Sequence, residues 1–90
     1  MKKIEQVEVT DETGYHILLG ETVLVMCANY FYHGDLIGVN EDTIVIKNPS
    51  IVYETGSWND KQYEDKQSMC VDEWHIKKDA IESLGKSNVS

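Results

Sequence analysis

The 90-residue chain contains no arginine, one proline, one phenylalanine and two cysteines. It is also short of positive charge, because eight lysines stand against sixteen aspartates and glutamates, a formal net charge of −8. Without arginine, the bidentate contacts that a guanidinium makes to phosphate or guanine are excluded, and the negative balance argues against general electrostatic binding to DNA or an anionic membrane. The longest uncharged run, Thr22 to Gly34, has 13 residues, whereas a membrane-spanning helix needs about 20 apolar residues.

The composition is that of one folded domain, with 41% hydrophobic and 27% charged residues. No apolar segment follows the N-terminal Lys-Lys pair, so we expect no secretory signal. Neither Cys27 nor Cys70 belongs to a close-spaced framework, so we expect two reduced thiols and a cytoplasmic location. We assign residues 1–12 to a loosely held lead-in, residues 13–84 to the domain and residues 85–90 to a disordered tail.

Alternating apolar residues begin after residue 20. The segment 14–20 before them fits a short helix or a short strand. Both sides of the next segment are apolar, which predicts a strand covered on both faces; its two sides are Val23, Val25 and Cys27, and Leu24, Met26 and Ala28. Asn29 is a natural turning point. In the aromatic strand that follows, Gly34 and Gly38 indicate a bulge, a bend or close packing.

The segment from Thr43 to Tyr53 is the most strand-like of the chain. Fully extended it would measure about 36 Å at roughly 3.3 Å per residue, which exceeds the width of so small a domain, so we predict a bend at Pro49. Residues 55–68 are polar and indicate a long loop or a frayed hairpin, and two further strands are predicted at 69–76 and 80–84. The fold class predicted is all-β, a small and strongly bent barrel.

Residues 20–53 resemble the first motif of the Sm and Sm-like family. That motif is a glycine, an alternating valine strand, a polar turn, an aromatic strand ending in glycine, and a polar loop before a hydrophobic strand. The residues in those places are Val23, Val25, Asn29, Tyr32, Gly34, Leu36, Gly38, Val39, Ile44 and Ile46. The segment Ile76 to Ile81 resembles the second motif. The similarity covers residues 14–84 and implies a short N-terminal helix followed by five antiparallel strands in an open barrel.

The resemblance also implies self-association. Members of the family close into rings of six or seven subunits by pairing the fourth strand of one subunit with the fifth strand of the next. In this chain, that arrangement would pair residues 69–76 with residues 80–84 of a neighbouring copy. Such pairing satisfies the backbone groups of two edge strands that would otherwise invite open-ended aggregation.

The family binds RNA through an Asp, an aromatic residue and an Asn of the first motif, together with an Arg-Gly or Lys-His pair of the second. By position, Asn40 takes the Asp place and Thr43 the Asn place, in a loop that is one residue shorter and has no aromatic side chain. Lys77 takes the place of the Arg or Lys, and Lys78 or Asp79 takes the place of the Gly or His. The resemblance therefore implies single-stranded RNA as a partner, with Asn40 and Thr43 forming hydrogen bonds and Lys77 and Lys78 meeting phosphate.

A second hypothesis keeps the ring and gives it a structural or protein-interaction role. Six subunits at −8 each would carry a formal charge of −48, which repels phosphate at long range. Two aromatic residues, Trp58 and Tyr63, interrupt the acidic 55–68 segment. They either cap one end of the barrel core or contact a protein partner.

Neither a metal site nor an enzyme is predicted. His33 and Asp35, and the group Cys70, Asp72 and His75, lack the tight Cys or His pairs typical of zinc sites, so we expect exposed or strand-end histidines. The serines and cysteines lie in no nucleophile context, and no phosphate-binding glycine loop is present. We therefore expect no catalytic residues and no cofactor.

Overall fold

A computed structural model describes residues 14–89 of the chain. They form one antiparallel sheet, in which β4, β3, β2, β1 and β6 are neighbours in that order and β5 pairs with β3. This arrangement confirms the all-β class. Its elements are a 3₁₀ helix at Gly14–Leu18, β1 (Thr22–Cys27), β2 (Phe31–Val39), β3 (Thr43–Glu54), β4 (Asp65–Ser68), β5 (Glu73–Lys77), a second 3₁₀ helix at Lys78–Ala80, and β6 (Ile81–Lys86).

The segment 14–20 adopts the helical alternative. Two hydrogen bonds join the end of this first helix to β2: the Gly20 N–H donates to the Leu36 carbonyl at 2.8 Å, and the Leu36 N–H donates to the Glu21 carbonyl at 2.9 Å. These contacts fix the helix at the edge of the barrel. The lead-in at residues 1–12 lies outside the described residues.

Strand β3 bends where its proline was expected to bend it. Asn48 has a φ of 54°, in the left-handed region that Asn tolerates, and the following Pro49 is fully buried. Residues 43–47 of β3 pair with β5, whereas residues 50–54 pair with β4. The strand therefore changes partner at the bend.

The continuous strand predicted at residues 69–76 is wrong. Residues 69–72 separate β4 from β5 and belong to neither strand, and Cys70 has a φ of 59°. The interruption lies opposite the bend of β3, which this part of the chain must follow. Two hydrogen bonds join them: the Met69 N–H donates to the Pro49 carbonyl and the Asn48 N–H to the Asp72 carbonyl, both at 3.0 Å. The described residues consequently form six strands. Strand β5 overlaps the second half of the strand predicted at residues 69–76, and β4 lies at the end of the loop expected at residues 55–68.

The core is built on the inward side of β1. Val23 and Val25 are completely buried and Cys27 is nearly so, whereas Leu24 and Met26 are half-buried, so the cover predicted on both faces is complete on the inward face and partial on the outer one. The same core cluster includes Leu36, Ile44, Ile46 and Ile76. Both cysteines are free thiols, with Cys70 exposed. Burial, and then the Glu82 carboxylate, raises the pKa of Cys27, which disfavours its reactive thiolate.

Gly34 permits the close approach of β2 and β3. A Cβ atom at this position would lie 2.9 Å from the Lys47 carbonyl oxygen and 3.2 Å from the Ile46 Cδ1. The β2–β3 register shifts between His33 and Asp35 and again between Leu36 and Gly38. The expectation of bulges and tight packing at the two glycines is confirmed.

The last strand continues beyond its predicted end at residue 84. It reaches Lys86, and the Ser87 N–H then donates to the Thr22 carbonyl at 2.7 Å. Residues 85–89, which were assigned to a disordered tail, therefore include strand and hydrogen-bonded backbone. The pairing with β1 is what extends the strand.

His33 holds this C-terminal segment. It is only 5% exposed and lies within β2, which corrects the expectation of an exposed or strand-end histidine, and its Nε2 donates to the Val89 carbonyl at 3.0 Å. The Tyr63 ring meets the imidazole edge-to-face at 5.4 Å, and the Tyr63 hydroxyl lies 3.1 Å from Ser87 Oγ. Burial, and then the Lys66 charge, lowers the pKa of His33, although the bond to Val89 and the Asp35 charge oppose the shift.

Acidification is therefore expected to destabilise the wild-type protein through His33. Because the pKa of His33 is lower in the folded state, unfolded chains bind the proton first; this contribution is full above about pH 6.5 and is lost as pH falls through the folded-state pKa. Urea unfolding at pH 7 and pH 5 measures the loss. The His33→Gln variant should lose less stability between these pH values than wild type, whereas the exposed-site variant His75→Gln should behave as wild type. Equal losses in all three proteins would contradict the assignment.

Candidate nucleic-acid interface

The turn between β2 and β3 is closed by its first and last residues. The Asn40 N–H donates to the Thr43 carbonyl at 2.8 Å, and the Asn40 Nδ2 donates to Thr43 Oγ1 at 3.2 Å. Asn40 is exposed, and Thr43 is half-buried at the start of β3. The side-chain carbonyl of Asn40 keeps its acceptor capacity for a ligand.

Strand β5 brings the two lysines to this turn. Lys77 is the register partner of Thr43, and the Lys78 N–H donates to the Asp42 carbonyl at 2.8 Å. Lys77 is exposed and Lys78 is half-buried. The four residues predicted from the two separate motifs, Asn40, Thr43, Lys77 and Lys78, thus lie together at one end of the barrel.

Tyr15 extends this group and was missed by sequence reasoning. The Lys78 Nζ lies over its ring, 6.0 Å from the centroid, within the range of a cation–π contact. The ring is partly buried and packs against the core cluster. Nothing in either motif pointed to it, because it belongs to the first 3₁₀ helix, for which the sequence left two structures open.

The charge around the group is mixed. Glu41 and Asp42 lie in the same turn and Asp79 follows Lys78, and all three are exposed. Two lysines therefore share this end of the barrel with three carboxylates. Any phosphate bound here meets local repulsion as well as attraction.

The two aromatic residues of the 55–68 segment differ in exposure. Trp58 is 65% exposed, whereas Tyr63 is half-buried against His33 and Ser87. Tyr63 is thus held between β2 and the C-terminal segment. Contact of Trp58 with a protein partner stays a prediction.

Metal sites and membrane-spanning helices are two other features to consider in residues 14–89. Within that range, no group of three or more His, Cys, Asp or Glu side chains has the arrangement of a metal site. The helices in the same range are also too short and too polar to cross a bilayer.

Comparison with known proteins gives one informative match. No family model and no curated protein matches the chain. An Sm protein from Pyrococcus abyssii, solved in complex with a uridine heptamer, is similar in structure with a TM-score of 0.56 and 18% sequence identity. The match covers 80% of this chain and 90% of the Pyrococcus chain. This chain has an Sm-like fold.

The strands of this chain correspond to those that the resemblance implied, with one of them interrupted. The resemblance implied a short N-terminal helix and five bent strands, and the helix is present as a 3₁₀ turn while β4 and β5 together pair along β3 as one interrupted strand. The fold expectation drawn from the two motifs is confirmed.

Proposed function

We propose that this Sm-like protein forms a ring of identical subunits and binds single-stranded RNA at one end of it. The observation that carries the proposal is the convergence of Asn40, Thr43, Lys77 and Lys78 through two backbone-linked turns. The uridine heptamer bound by the Pyrococcus protein of the same fold supports the choice of ligand class. The proposed location is the cytoplasm.

Ring formation is supported by two strand edges, on β5 and β6, with which no other strand of residues 14–89 pairs. Two hydrogen bonds flank the β3–β5 ladder: the Asn48 N–H donates to the Asp72 carbonyl, and the Lys78 N–H donates to the Asp42 carbonyl. In an antiparallel ladder alternate residues face the same neighbour, so Glu73, His75 and Lys77 direct their backbone groups away from β3. On β6, the Ser87 N–H donates to the Thr22 carbonyl of β1. By the same alternation, the backbone groups of Leu84 and Lys86 point away from β1. Pairing these edges between neighbouring copies closes a ring.

The ring multiplies a site that is weak in each subunit. Asn40 and Thr43 offer an amide and a hydroxyl to the edge of a base, and the lysine pair offers two cations to phosphate. Repeated six or seven times, the lysines form a cationic collar within a protein that is acidic as a whole. We therefore expect measurable binding at low salt that falls as salt is added.

Titration with short U-rich and A-rich RNA oligonucleotides at low salt tests the proposal. Fluorescence anisotropy should show saturable binding below about 100 μM, the weak end of non-specific affinities. The absence of binding to both oligonucleotides up to that concentration would refute RNA binding and favour the structural or protein-interaction role, with Trp58 as the first contact to test.

Neutralising the turn carboxylates is expected to tighten RNA binding. The Glu41→Gln, Asp42→Asn variant removes two negative charges per subunit beside Lys78 and leaves the Asp42 carbonyl that accepts the Lys78 N–H. Reduced repulsion of phosphate should lower Kd several-fold at low salt and less at high salt. A matched variant, Asp60→Asn with Glu64→Gln, makes the same charge change in the exposed 55–64 loop. An equal gain in both variants would show that only total charge matters.

A further inference from the structure

We infer that Tyr15 is the ring on which an RNA base stacks at this site. The inference rests on the proposed function and adds to it the aromatic contact that the 40–43 turn lacks. It assigns to the first 3₁₀ helix a role in recognising bases, in addition to covering the end of the barrel.

The position of Tyr15 follows from contacts that tie three segments together. Lys78 is held to the turn by its backbone bond to Asp42 and reaches Tyr15 with its side chain, its Nζ lying 6.0 Å from the ring centroid. The helix carrying Tyr15 is joined to β2 at Gly20 and Leu36. The ring is therefore placed beside the groups proposed to bind the sugar–phosphate chain and the base edge.

Partial burial holds the Tyr15 ring in a fixed position for stacking. Tyr15 packs against the core cluster and keeps part of its surface accessible, so little side-chain freedom remains to be lost on binding. The ammonium group of Lys78 lies over the ring, 6.0 Å from its centroid. A base reaches the ring when Lys78 moves from it to a phosphate of the same strand.

The free energy should favour exchanging the Lys78 contact with Tyr15 for a base on Tyr15 and a phosphate on Lys78. A lysine over an aromatic ring is a weak contact, and stacking of a base on an aromatic side chain is generally stronger. The displaced ammonium gains a phosphate in place of the ring, so the cation keeps a partner. Lys78 thus covers Tyr15 in the free protein and binds the backbone in the complex.

Other exposed tyrosines are less suited to this role. Tyr30 and Tyr53 contact each other edge-to-face, with centroids 6.5 Å apart, and Tyr53 lies at the end of β3 opposite to Thr43. They are 47% and 55% exposed. Tyr53 therefore provides a matched control, an accessible tyrosine on the same strand system away from the proposed site.

The test compares a normal oligonucleotide with an abasic oligonucleotide of equal length, which keeps the phosphates and lacks the bases. Tyr15→Leu should weaken binding of the normal oligonucleotide about tenfold and leave that of the abasic one unchanged. Tyr53→Leu should change neither, and Tyr15→Phe should bind as wild type. Lys78→Ala should weaken binding of both oligonucleotides.

Two results would overturn the role of Tyr15. One is an unchanged preference for the normal over the abasic oligonucleotide in Tyr15→Leu. The other applies if that variant does not fold: ultraviolet cross-linking of wild-type protein to a 4-thiouridine oligonucleotide should then modify Tyr15, and cross-links found only elsewhere would refute the assignment. Failure of wild-type protein to bind any oligonucleotide would instead refute the proposed function, so the two failures are distinguishable.

Discussion

The His75→Pro variant is expected to exist as single folded subunits, in contrast to the ring that we propose for the wild-type protein. Light scattering should show its mass falling to that of one chain, 10.3 kDa. Its circular dichroism spectrum should remain that of a β protein. This is the largest effect that a single substitution should have on assembly.

The reason lies in the direction of the backbone groups on β5. The register pairs His75 with Val45, and the bonds at either end of the ladder place the His75 N–H on the free edge. Proline removes that donor and projects its ring toward the incoming strand, and an edge strand accepts it because no bond within the subunit is lost. Trp74 before it is already extended, as a residue preceding proline prefers.

Two controls separate the loss of pairing from the loss of fold. The His75→Thr variant changes the same exposed side chain but keeps the N–H, so it should assemble as wild type. The Trp74→Pro variant removes a donor that faces β3 and should destabilise the subunit itself. Rings of normal size in His75→Pro would show that β5 is not the pairing edge.

Replacing both lysines of the site is expected to remove most RNA binding. The Lys77→Ala, Lys78→Ala variant loses two cations from every subunit at the point where the two turns meet. Because each neutralised phosphate contributes about −0.7 to the slope of log K against log salt for single strands, the variant should bind at least about tenfold more weakly at low salt. Its salt dependence should also be flatter.

A second lysine pair controls for the change in total charge. The Lys47→Ala, Lys61→Ala variant makes the chain more acidic by the same amount, using two exposed residues outside the site. Its affinity should decrease much less. Similar affinities and salt slopes in the two double variants would show that the pore-side assignment of Lys77 and Lys78 is wrong.

The fold could be predicted where local chemistry determines the backbone. Val23 and Val25 alternate with their neighbours, and both are fully buried. Gly34 leaves room for a carbonyl that a Cβ would strike, and Pro49 marks the bend of β3. Each of these signals acts within a few residues of the structure that it specifies.

The division between β4 and β5 could not be predicted in the same way. Cys70 has a positive φ without being Gly or Asn, and its conformation is imposed by the bend of β3 opposite it. Burial of His33 likewise depends on Tyr63 and on Val89, 56 positions along the chain. Such contacts leave no mark in local periodicity.

The candidate site was predictable only in part for the same reason. Asn40, Thr43, Lys77 and Lys78 occupy motif positions, so the resemblance pointed to them, and the fold brings them together. Tyr15 occupies no motif position, and its proximity to Lys78 is a tertiary contact. A role for Trp58 in binding another protein remains a prediction.

The native mass of the wild-type protein in solution tests the central claim most directly. If the free edges of β5 and β6 pair between copies, multi-angle light scattering should give a single species of about five to seven chains, independent of concentration across the micromolar range. A uniform species with the mass of one chain would contradict the ring, and with it the proposed collar of Lys77 and Lys78.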